Sequence, residues 1–89
     1  MKALRNQRKH GVRFENAMRV FEDPNSIIEQ DRIDDTGELR WRALGRAGGV
    51  AVLFVVHVIR QDSGGEVIRL ISARPSTRKE RNRYEKTCD

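Results

Sequence analysis

The chain has 89 residues, and 18 lysines and arginines against 13 acidic residues give it a formal net charge of +5. This length predicts one domain, residues 1–89, with a small core. The charge favours a polyanionic partner, nucleic acid before an acidic protein or a membrane surface. The single cysteine, Cys88, excludes a disulfide framework and a thiolate zinc site within one chain, and fits a cytoplasmic protein. We expect no signal peptide and no membrane span, because the N-terminus is polar and the longest apolar run, 50–59, is short.

The N-terminal part predicts two helices. The first is expected over residues 3–10 and ends at Gly11, because glycine readily adopts the left-handed conformation that ends helices. The second is predicted in VRFENAMRVFEDP, whose apolar residues recur at helical spacing and should face the core: Phe14, Ala17, Met18 and Phe21. Asp23-Pro24 should end this helix, because the residue before a proline disfavours the helical conformation.

The middle of the chain predicts an antiparallel sheet. A short strand is expected over 26–29, followed by an acidic loop over 31–38. The segment LRWRALGR alternates, with Leu39, Trp41 and Ala43 on one face and its arginines on the other. The run 50–59 is apolar on both faces, as in a central strand, and 67–74 is the last strand. Tight turns at AGG and QDSGGE join these strands into a meander.

The C-terminal part predicts one more helix. Pro75 ends the last strand, and Thr77 and Glu80 have the spacing of a capping box, so a helix should run over 78–86. The expected fold class is α+β: a small domain with N-terminal helices packed on an antiparallel sheet, and a C-terminal helix.

The sequence lacks the motifs of metal-dependent or cofactor-dependent chemistry. It has no phosphate-binding glycine loop, zinc spacing, HExxH motif or nucleophile elbow. Basic residues and a few proton carriers remain. RNA cleavage needs no more than these, because the 2′-hydroxyl of the substrate attacks its own neighbouring phosphate. The protein has to position the bases, stabilise the charged phosphorane and transfer protons. We therefore expect no metal and no cofactor.

Two arginines in IRLISARPSTRKERNRYE are candidates for stabilising that phosphate. Alternation predicts that Arg69 and Arg74 lie on opposite faces of a flat strand, unless a bulge or the bend at Pro75 places Arg74 on the same face as Arg69. The alternative role for each arginine is a salt bridge at the rim of the domain.

Three further residues are catalytic candidates, and each has a structural alternative. His57 lies in an apolar strand and is either a proton carrier or a core histidine. Glu80 is either a general base or only a helix cap. Tyr84, one helical turn beyond Glu80, either orients a base by stacking or packs on the sheet.

Several other basic residues are candidates for binding RNA. Their alternative is solvated surface charge or, at the end of the first predicted helix, a favourable interaction with the helix dipole. These residues are Lys9, His10, Arg46, Arg78, Lys79 and Arg81.

Three segments together resemble one protein family. RKHGVRFENAMRVFEDP, RWRALGR and IRLISARPSTRKERNRYE occur in the order and spacing of the BrnT family of bacterial type II toxins, and they span residues 8–85. The resemblance implies a RelE-like, metal-independent ribonuclease that inhibits translation by cutting RNA. It also implies functional positions at Lys9, His10, Arg46, His57, Arg69, Arg74, Glu80, Arg81 and Tyr84.

The resemblance implies partners as well. These are a BrnA-like antitoxin, an RNA substrate that is free or on the ribosome, operator DNA contacted only through the antitoxin, and a higher-order toxin–antitoxin assembly. Relatives usually begin with a short strand, whereas this chain is expected to start inside the first helix, which would leave a sheet edge unpaired. The rival interpretation of the same charge is a basic module that binds nucleic acid or protein and cuts nothing.

Overall fold

Four strands form an antiparallel meander in the computed structural model, which describes residues 8–9, 12–48 and 51–87. Two short strands, β1 (Arg8–Lys9) and β2 (Val12–Arg13), precede helix α1 (Phe14–Arg19) and a 3-10 turn (Val20–Glu22). The sheet then follows in the order β3 (Ile27–Ile33), β4 (Leu39–Ala47), β5 (Ala51–Asp62) and β6 (Gly65–Pro75), and helix α2 (Arg78–Thr87) comes last. The predicted α+β class and the predicted meander are confirmed.

The first predicted helix is wrong where the structure describes it. Residues 8–9 form β1, which pairs with β2 in the antiparallel register Arg8↔Arg13 and Lys9↔Val12. The remainder of that prediction, at 3–7 and 10, lies outside the described residues. Helix propensity over so short a segment is a weak preference, and pairing with a strand two residues away outweighs it. The predicted acidic loop is also shorter, because β3 continues to Ile33.

Helix α1 packs on one face of the sheet. It ends at Arg19, earlier than predicted, and the 3-10 turn that continues it ends before Asp23-Pro24, where the sequence predicts the end of the helical segment. Asp23, before Pro24, has the extended conformation with φ −75° and ψ 116°. The buried side of the helix runs through Ala17 and Val20, three residues apart, whereas Phe14 at the first position is 43% exposed. The apolar stripe is therefore rotated away from Phe14, which was predicted to lie in the core.

Buried side chains lie on both faces of the sheet. On the core face, α1 and the 3-10 turn cover residues that include Ala43, Leu53 and Val55. On the opposite face, α2 packs Tyr84 against Leu44 and Val52. Strand β5 contributes to both clusters, which explains why its sequence is apolar throughout, as expected for a central strand. Burying one such valine or leucine contributes roughly 1.5–3 kcal/mol.

A β-bulge in β6 determines which side chains share a face. β5 pairs Val56 with Ser72, but its next residue pairs with Leu70, so Ile71 is an extra residue in β6. As a result Arg69 lies opposite Val58, and Arg74 lies opposite Phe54. Because these two partners are four residues apart in β5, the two arginines lie on the same face of the sheet. The bulge, and not the bend at Pro75, overrides the alternation.

Helix α2 begins with the predicted capping box. The backbone N–H of Glu80 donates to Thr77 Oγ1 at 3.2 Å, and the N–H of Thr77 donates to Glu80 Oε1 at 2.8 Å. The helix ends at Thr87, one residue later than predicted. Among the described residues, no helix is both long enough and apolar enough to cross a membrane.

Gly45 marks the closest approach of the 3-10 turn to β4. A Cβ at this position would come within 2.9 Å of Val20 Cγ1 and 3.0 Å of Ser26 Cβ. We expect Gly45→Ala to lower the free energy of unfolding by about 1–3 kcal/mol, the usual cost of overpacking. Urea denaturation measures it. The control is Gly64→Ala, whose Cβ would meet only an Asp62 oxygen at 3.4 Å. An equal loss in both variants would contradict the close packing.

Candidate nucleic-acid interface

The sheet face opposite α1 carries a concentration of arginines. In β4, alternation turns Ala43 toward the core and the arginines toward the opposite side, as predicted from LRWRALGR. Cross-strand pairing adds arginines from β3, β5 and β6. We call this surface the arginine face, and its arginines are Arg32, Arg40, Arg42, Arg46, Arg60, Arg69 and Arg74.

Carboxylates hold several of these arginines in place. Arg40 Nε lies 3.1 Å from Asp34 Oδ2, and Arg60 Nε lies 2.9 Å from Glu38 Oε2. The hydrogen bond from Arg60 lowers the pKa of the Glu38 carboxyl. Pairs this close to solvent contribute little to stability, because water and salt screen the attraction. Their main effect is to orient the guanidinium groups.

Glu29 links the sheet to α2 through two arginines. Its Oε1 accepts hydrogen bonds from Arg42 Nε at 3.1 Å and from Arg83 Nη1 at 3.0 Å, and its Oε2 accepts one from Arg83 Nη2. The hydrogen bonds from Arg83, helped by the one from Arg42, lower the pKa of Glu29 to about 2. This carboxylate is therefore ionised at neutral pH.

Arg74 is clamped at the junction of β6 and α2. Its Nη1 and Nη2 donate to Glu80 Oε1 and Oε2 at 2.8 and 2.9 Å, and its guanidinium lies 4.2 Å from the centre of the Phe54 ring. The hydrogen bond from Arg74 lowers the pKa of Glu80, aided by the backbone of Thr77. Glu80 therefore caps the helix, which is one of its two predicted roles, and also binds Arg74.

Arg69 differs from Arg74 in having no carboxylate bound to it, although its positive charge helps Arg60 to lower the pKa of Glu38. It is exposed, and no carboxylate within the described part of the chain forms an ion pair with it. Its β5 partner, Val58, is four residues from Phe54, the partner of Arg74, so the two arginine backbones are about 13 Å apart. Ser72 and Val56 lie between them. Two long side chains on either side of this gap can hold one phosphate or two neighbouring ones.

Tyr84 is buried under α2 and does not face solvent. It is 1% exposed, and its hydroxyl donates to Asp23 Oδ2 at 2.5 Å. The same oxygen accepts the backbone N–H of Arg46 at 2.8 Å, and the Arg46 guanidinium lies 5.5 Å from the Tyr84 ring centre. Burial alone would raise the pKa of Asp23, but the hydrogen bonds from Tyr84 and Arg46 outweigh it and lower the pKa. The contact anchors α2 to the end of the 3-10 turn.

A model of one protein family, described as ribonuclease toxin, BrnT, of type II toxin–antitoxin system, matches residues 1–80. The chain belongs to the BrnT family. It is therefore a ribonuclease toxin whose partner is an antitoxin, as the resemblance predicted. The matched range includes Arg69, Arg74 and Glu80. A comparison with curated proteins finds no match.

In this BrnT chain the structure brings together only part of the predicted site. Arg69, Arg74, Arg46 and Glu80 lie on the arginine face or at its border with α2. His57 lies on the core face, 1% exposed, with its ring edge-on to Phe21 at 4.8 Å between centroids. His57 is therefore separated from the two arginines by the sheet itself.

The remaining predicted BrnT residues are more scattered. Arg78 and Lys79 are exposed in the first turn of α2, and Arg81 pairs with Glu85 at 3.4 Å. Lys9 belongs to β1, but its side chain is outside the described part, as is all of His10.

Several residues of the candidate site were not predicted from the sequence. Phe54 was assigned only to an apolar strand, although its ring supports Arg74. Glu29 was assigned to a short strand, and its contact with Arg83 joins residues 54 positions apart. The alternation of β4 correctly predicted the sheet face on which Arg42 lies. The carboxylates that Arg42 binds could not be predicted, because they depend on the register of β3. A second bulge, at Asp31, interrupts that register.

The Tyr84 hydroxyl should contribute measurably to the stability of the fold. We expect Tyr84→Phe to lower the free energy of unfolding by about 1.5–3 kcal/mol, because the lost hydrogen bond has a charged acceptor. Urea denaturation at neutral pH measures this loss. Thr87→Val removes an exposed hydroxyl from the same helix and should cost less than about 0.5 kcal/mol. Equal effects would show that the Asp23 contact contributes nothing.

His57 should make the fold sensitive to mild acid. Burial lowers the pKa of His57 from its ordinary value of 6.5, so the unfolded chain binds its proton more readily than the folded chain. The free energy of unfolding contributed by neutral His57 is complete above pH 6.5 and falls as the pH drops below it. Denaturation between pH 7.5 and 5 should show this fall in the wild type and a smaller one in His57→Phe. Parallel curves would contradict a neutral, buried imidazole.

Proposed function

We propose that this BrnT toxin is a metal-independent endoribonuclease that inhibits translation by cutting RNA at the arginine face. The observation that supports this is that Arg69 and Arg74 lie on the same face of the sheet, with Arg74 bound to Glu80 where β6 meets α2. Positive charge and a carboxylate stand together at this one place, which is what phosphodiester cleavage by a substrate hydroxyl requires.

Arg69 makes the first contact with the RNA backbone. Arg69 forms no ion pair in the described part of the chain, so binding a phosphate there breaks no hydrogen bond to a carboxylate, and its charge acts on Glu38 only over a longer distance. Arg78 and Lys79, which are exposed in the first turn of α2, add further positive charge that can attract the RNA backbone. Such contacts supply affinity that is independent of sequence and decreases with salt.

The reaction uses a nucleophile from the substrate. The 2′-oxygen of the RNA forms a bond to the adjacent phosphorus, and the bond from phosphorus to the 5′-oxygen breaks. A proton leaves the 2′-hydroxyl and another reaches the 5′-oxygen, which gives a 2′,3′-cyclic phosphate and a 5′-hydroxyl. The guanidinium groups of Arg69 and Arg74 stabilise the extra negative charge on the phosphorane between these states.

Glu80 becomes a proton acceptor when phosphate takes over Arg74. In the free protein the hydrogen bond from Arg74 lowers the pKa of Glu80, which makes this carboxylate a weak base. A phosphate that accepts the same two N–H groups releases Glu80 beside the reacting 2′-hydroxyl, and the pKa of Glu80 rises toward its ordinary range. Phe54 keeps the guanidinium in position during this exchange. The burial of His57 and Tyr84 supports structural roles for these two residues.

The partners follow from family membership and from the exposed charge. A BrnA-like antitoxin would neutralise the toxin by covering the arginine face, and operator DNA would be contacted through the antitoxin in a larger assembly. The α+β meander with a C-terminal helix is consistent with a RelE-like toxin acting on RNA in the cytoplasm, free or on the ribosome.

One observation favours a second candidate function, a module that binds RNA without cutting it. The carboxylates on the arginine face are paired with arginines, and the two other candidate proton carriers are buried. Such a module would bind RNA with a steep salt dependence and yield no 2′,3′-cyclic phosphate.

Arginine substitutions test the proposed ribonuclease. We expect Arg69→Ala and Arg74→Ala each to lower kcat/KM for RNA cleavage by about 100- to 1,000-fold, the loss seen when one donor to a developing oxyanion is removed. Cleavage of a defined messenger RNA, with and without translating ribosomes, is followed by the appearance of 2′,3′-cyclic phosphate ends. Induced expression in cells should stop growth for the wild type but not for either variant.

The matched control is Arg13→Ala, which removes an exposed arginine from β2. It should cleave like the wild type, and circular dichroism should show all three variants folded. Full activity in both folded site variants would refute the assignment of Arg69 and Arg74. Tight RNA binding by the wild type without cyclic phosphate product would establish the binding module instead.

A further inference from the structure

A small cavity lies next to the proposed phosphate site. Its volume is about 190 Å³, enough for one planar base, and it opens between the sheet and α2. Its lining residues are Ile27, Glu29, Arg42, Leu44, Phe54, Glu80 and Arg83. One wall is therefore Glu80, the residue that also holds Arg74.

The charges around this cavity cancel. Two carboxylates, Glu29 and Glu80, face two guanidiniums, Arg42 and Arg83, over a floor of aliphatic and aromatic side chains. Two side chains just outside the lining add one charge of each sign, Arg74 bound to Glu80 and Asp31 bound to Arg42. A phosphate gains little from entering a region with no net charge. A flat, uncharged group with polar edges suits it better, because the faces of such a group pack on the floor and its edges meet the polar walls.

The polar walls keep unused hydrogen-bonding capacity. Glu29 Oε2 accepts only from Arg83 Nη2, and Glu80 Oε2 accepts only from Arg74 Nη2, whereas a carboxylate oxygen has room for two donors. Arg42 Nη2 and Arg83 Nε have no acceptor among the described residues. The cavity therefore offers acceptors and donors side by side.

We propose that this cavity binds a nucleobase that carries an exocyclic amino group, namely adenine, cytosine or guanine. This rests on the proposed function, because the base belongs to the RNA whose phosphate lies at Arg69 and Arg74. The amino group donates to a carboxylate, and the neighbouring ring nitrogen or carbonyl oxygen accepts from a guanidinium. An exocyclic amino group has two N–H bonds and can donate to both carboxylates, Glu29 and Glu80. Uracil has one N–H between two carbonyl oxygens, so when it donates to one carboxylate it turns a carbonyl lone pair toward the other.

Because Glu80 touches both sites, base recognition and phosphate binding are coupled. A base that hydrogen-bonds to Glu80 favours the separation of Glu80 from Arg74, and the freed arginine then binds the phosphate. An amino-bearing base at the cavity thus promotes the rearrangement that the proposed reaction needs.

Short RNA analogues test the cavity independently of cleavage. Six-nucleotide 2′-O-methyl RNAs have no free 2′-hydroxyl and cannot be cut. We compare UUUXUU oligonucleotides with adenine, cytosine, guanine or uracil at X, measuring Kd by fluorescence anisotropy. The wild type should bind the three amino-bearing versions at least about tenfold more tightly than the uracil version, which is the discrimination expected of one good pair of hydrogen bonds to a base edge.

Two matched variants locate the preference. Ile27→Trp fills the cavity without changing charge, and it should remove the difference among the four oligonucleotides while the variant stays folded. Ile33→Trp makes the same change on the same strand, at a residue that is 68% exposed and does not line this cavity. It should keep the wild-type preference.

The outcomes separate this inference from the proposed ribonuclease. Equal affinity for all four oligonucleotides, or no binding, overturns the base site even if ordinary RNA is cut. A preference that survives Ile27→Trp also overturns it. A preference that Ile27→Trp removes, in a protein that yields no 2′,3′-cyclic phosphate from any RNA, upholds the base site and refutes the ribonuclease.

Discussion

A single extra residue in β6 determines how the two sides of the sheet are used. Without the bulge at Ile71, strict alternation would place Arg69 and Arg74 on opposite faces. With it, both lie on the arginine face. The same bulge lets Leu70 and Ala73 both pack toward the core cluster under α1. The last strand therefore serves the core and the candidate site together, and the fold accommodates this with one irregularity in its hydrogen-bond ladder.

The acidic residues explain how a basic face stays ordered. An isolated arginine loses side-chain entropy when it is fixed, and neighbouring arginines repel each other. Carboxylates on Glu29, Glu38 and Glu80 hold guanidinium groups in defined positions while leaving them near solvent. These contacts contribute little net stability. They make parts of the face ready for a ligand, because a phosphate can replace a carboxylate without having to order the arginine first.

The sequence predicted the regular parts of this fold well, because periodicity and capping are local. Within the described residues, the strands predicted over 39–46, 50–59 and 67–74 are confirmed, the second of them from Ala51 onward. The helix starting at Arg78 and the pairing of Thr77 with Glu80 in its cap are confirmed as well. The helix predicted over 3–10 failed at 8–9, because pairing with β2 is a tertiary preference that local propensity does not contain. Of the candidate site, the sequence predicted the charged residues Arg46, Arg69, Arg74 and Glu80 but not their arrangement in space. Its geometry depends on the bulges at Ile71 and Asp31, which no local pattern marks.

The pairing of charges divides the arginine face into two regions with different chemistry. Near α2, Glu29 and Glu80 cancel the guanidiniums around the small cavity, so this region selects by shape and hydrogen bonding. Toward the other end of β6, Arg69 forms no ion pair within the described ranges, and its guanidinium donors remain available for a phosphate. Nucleic-acid recognition commonly separates these two tasks, since phosphate contacts fix position and base contacts give selectivity. Glu80 lies where the two regions meet, bound to Arg74 on one side and facing the cavity on the other. Its position gives a physical route by which the identity of a base affects the binding of the neighbouring phosphate.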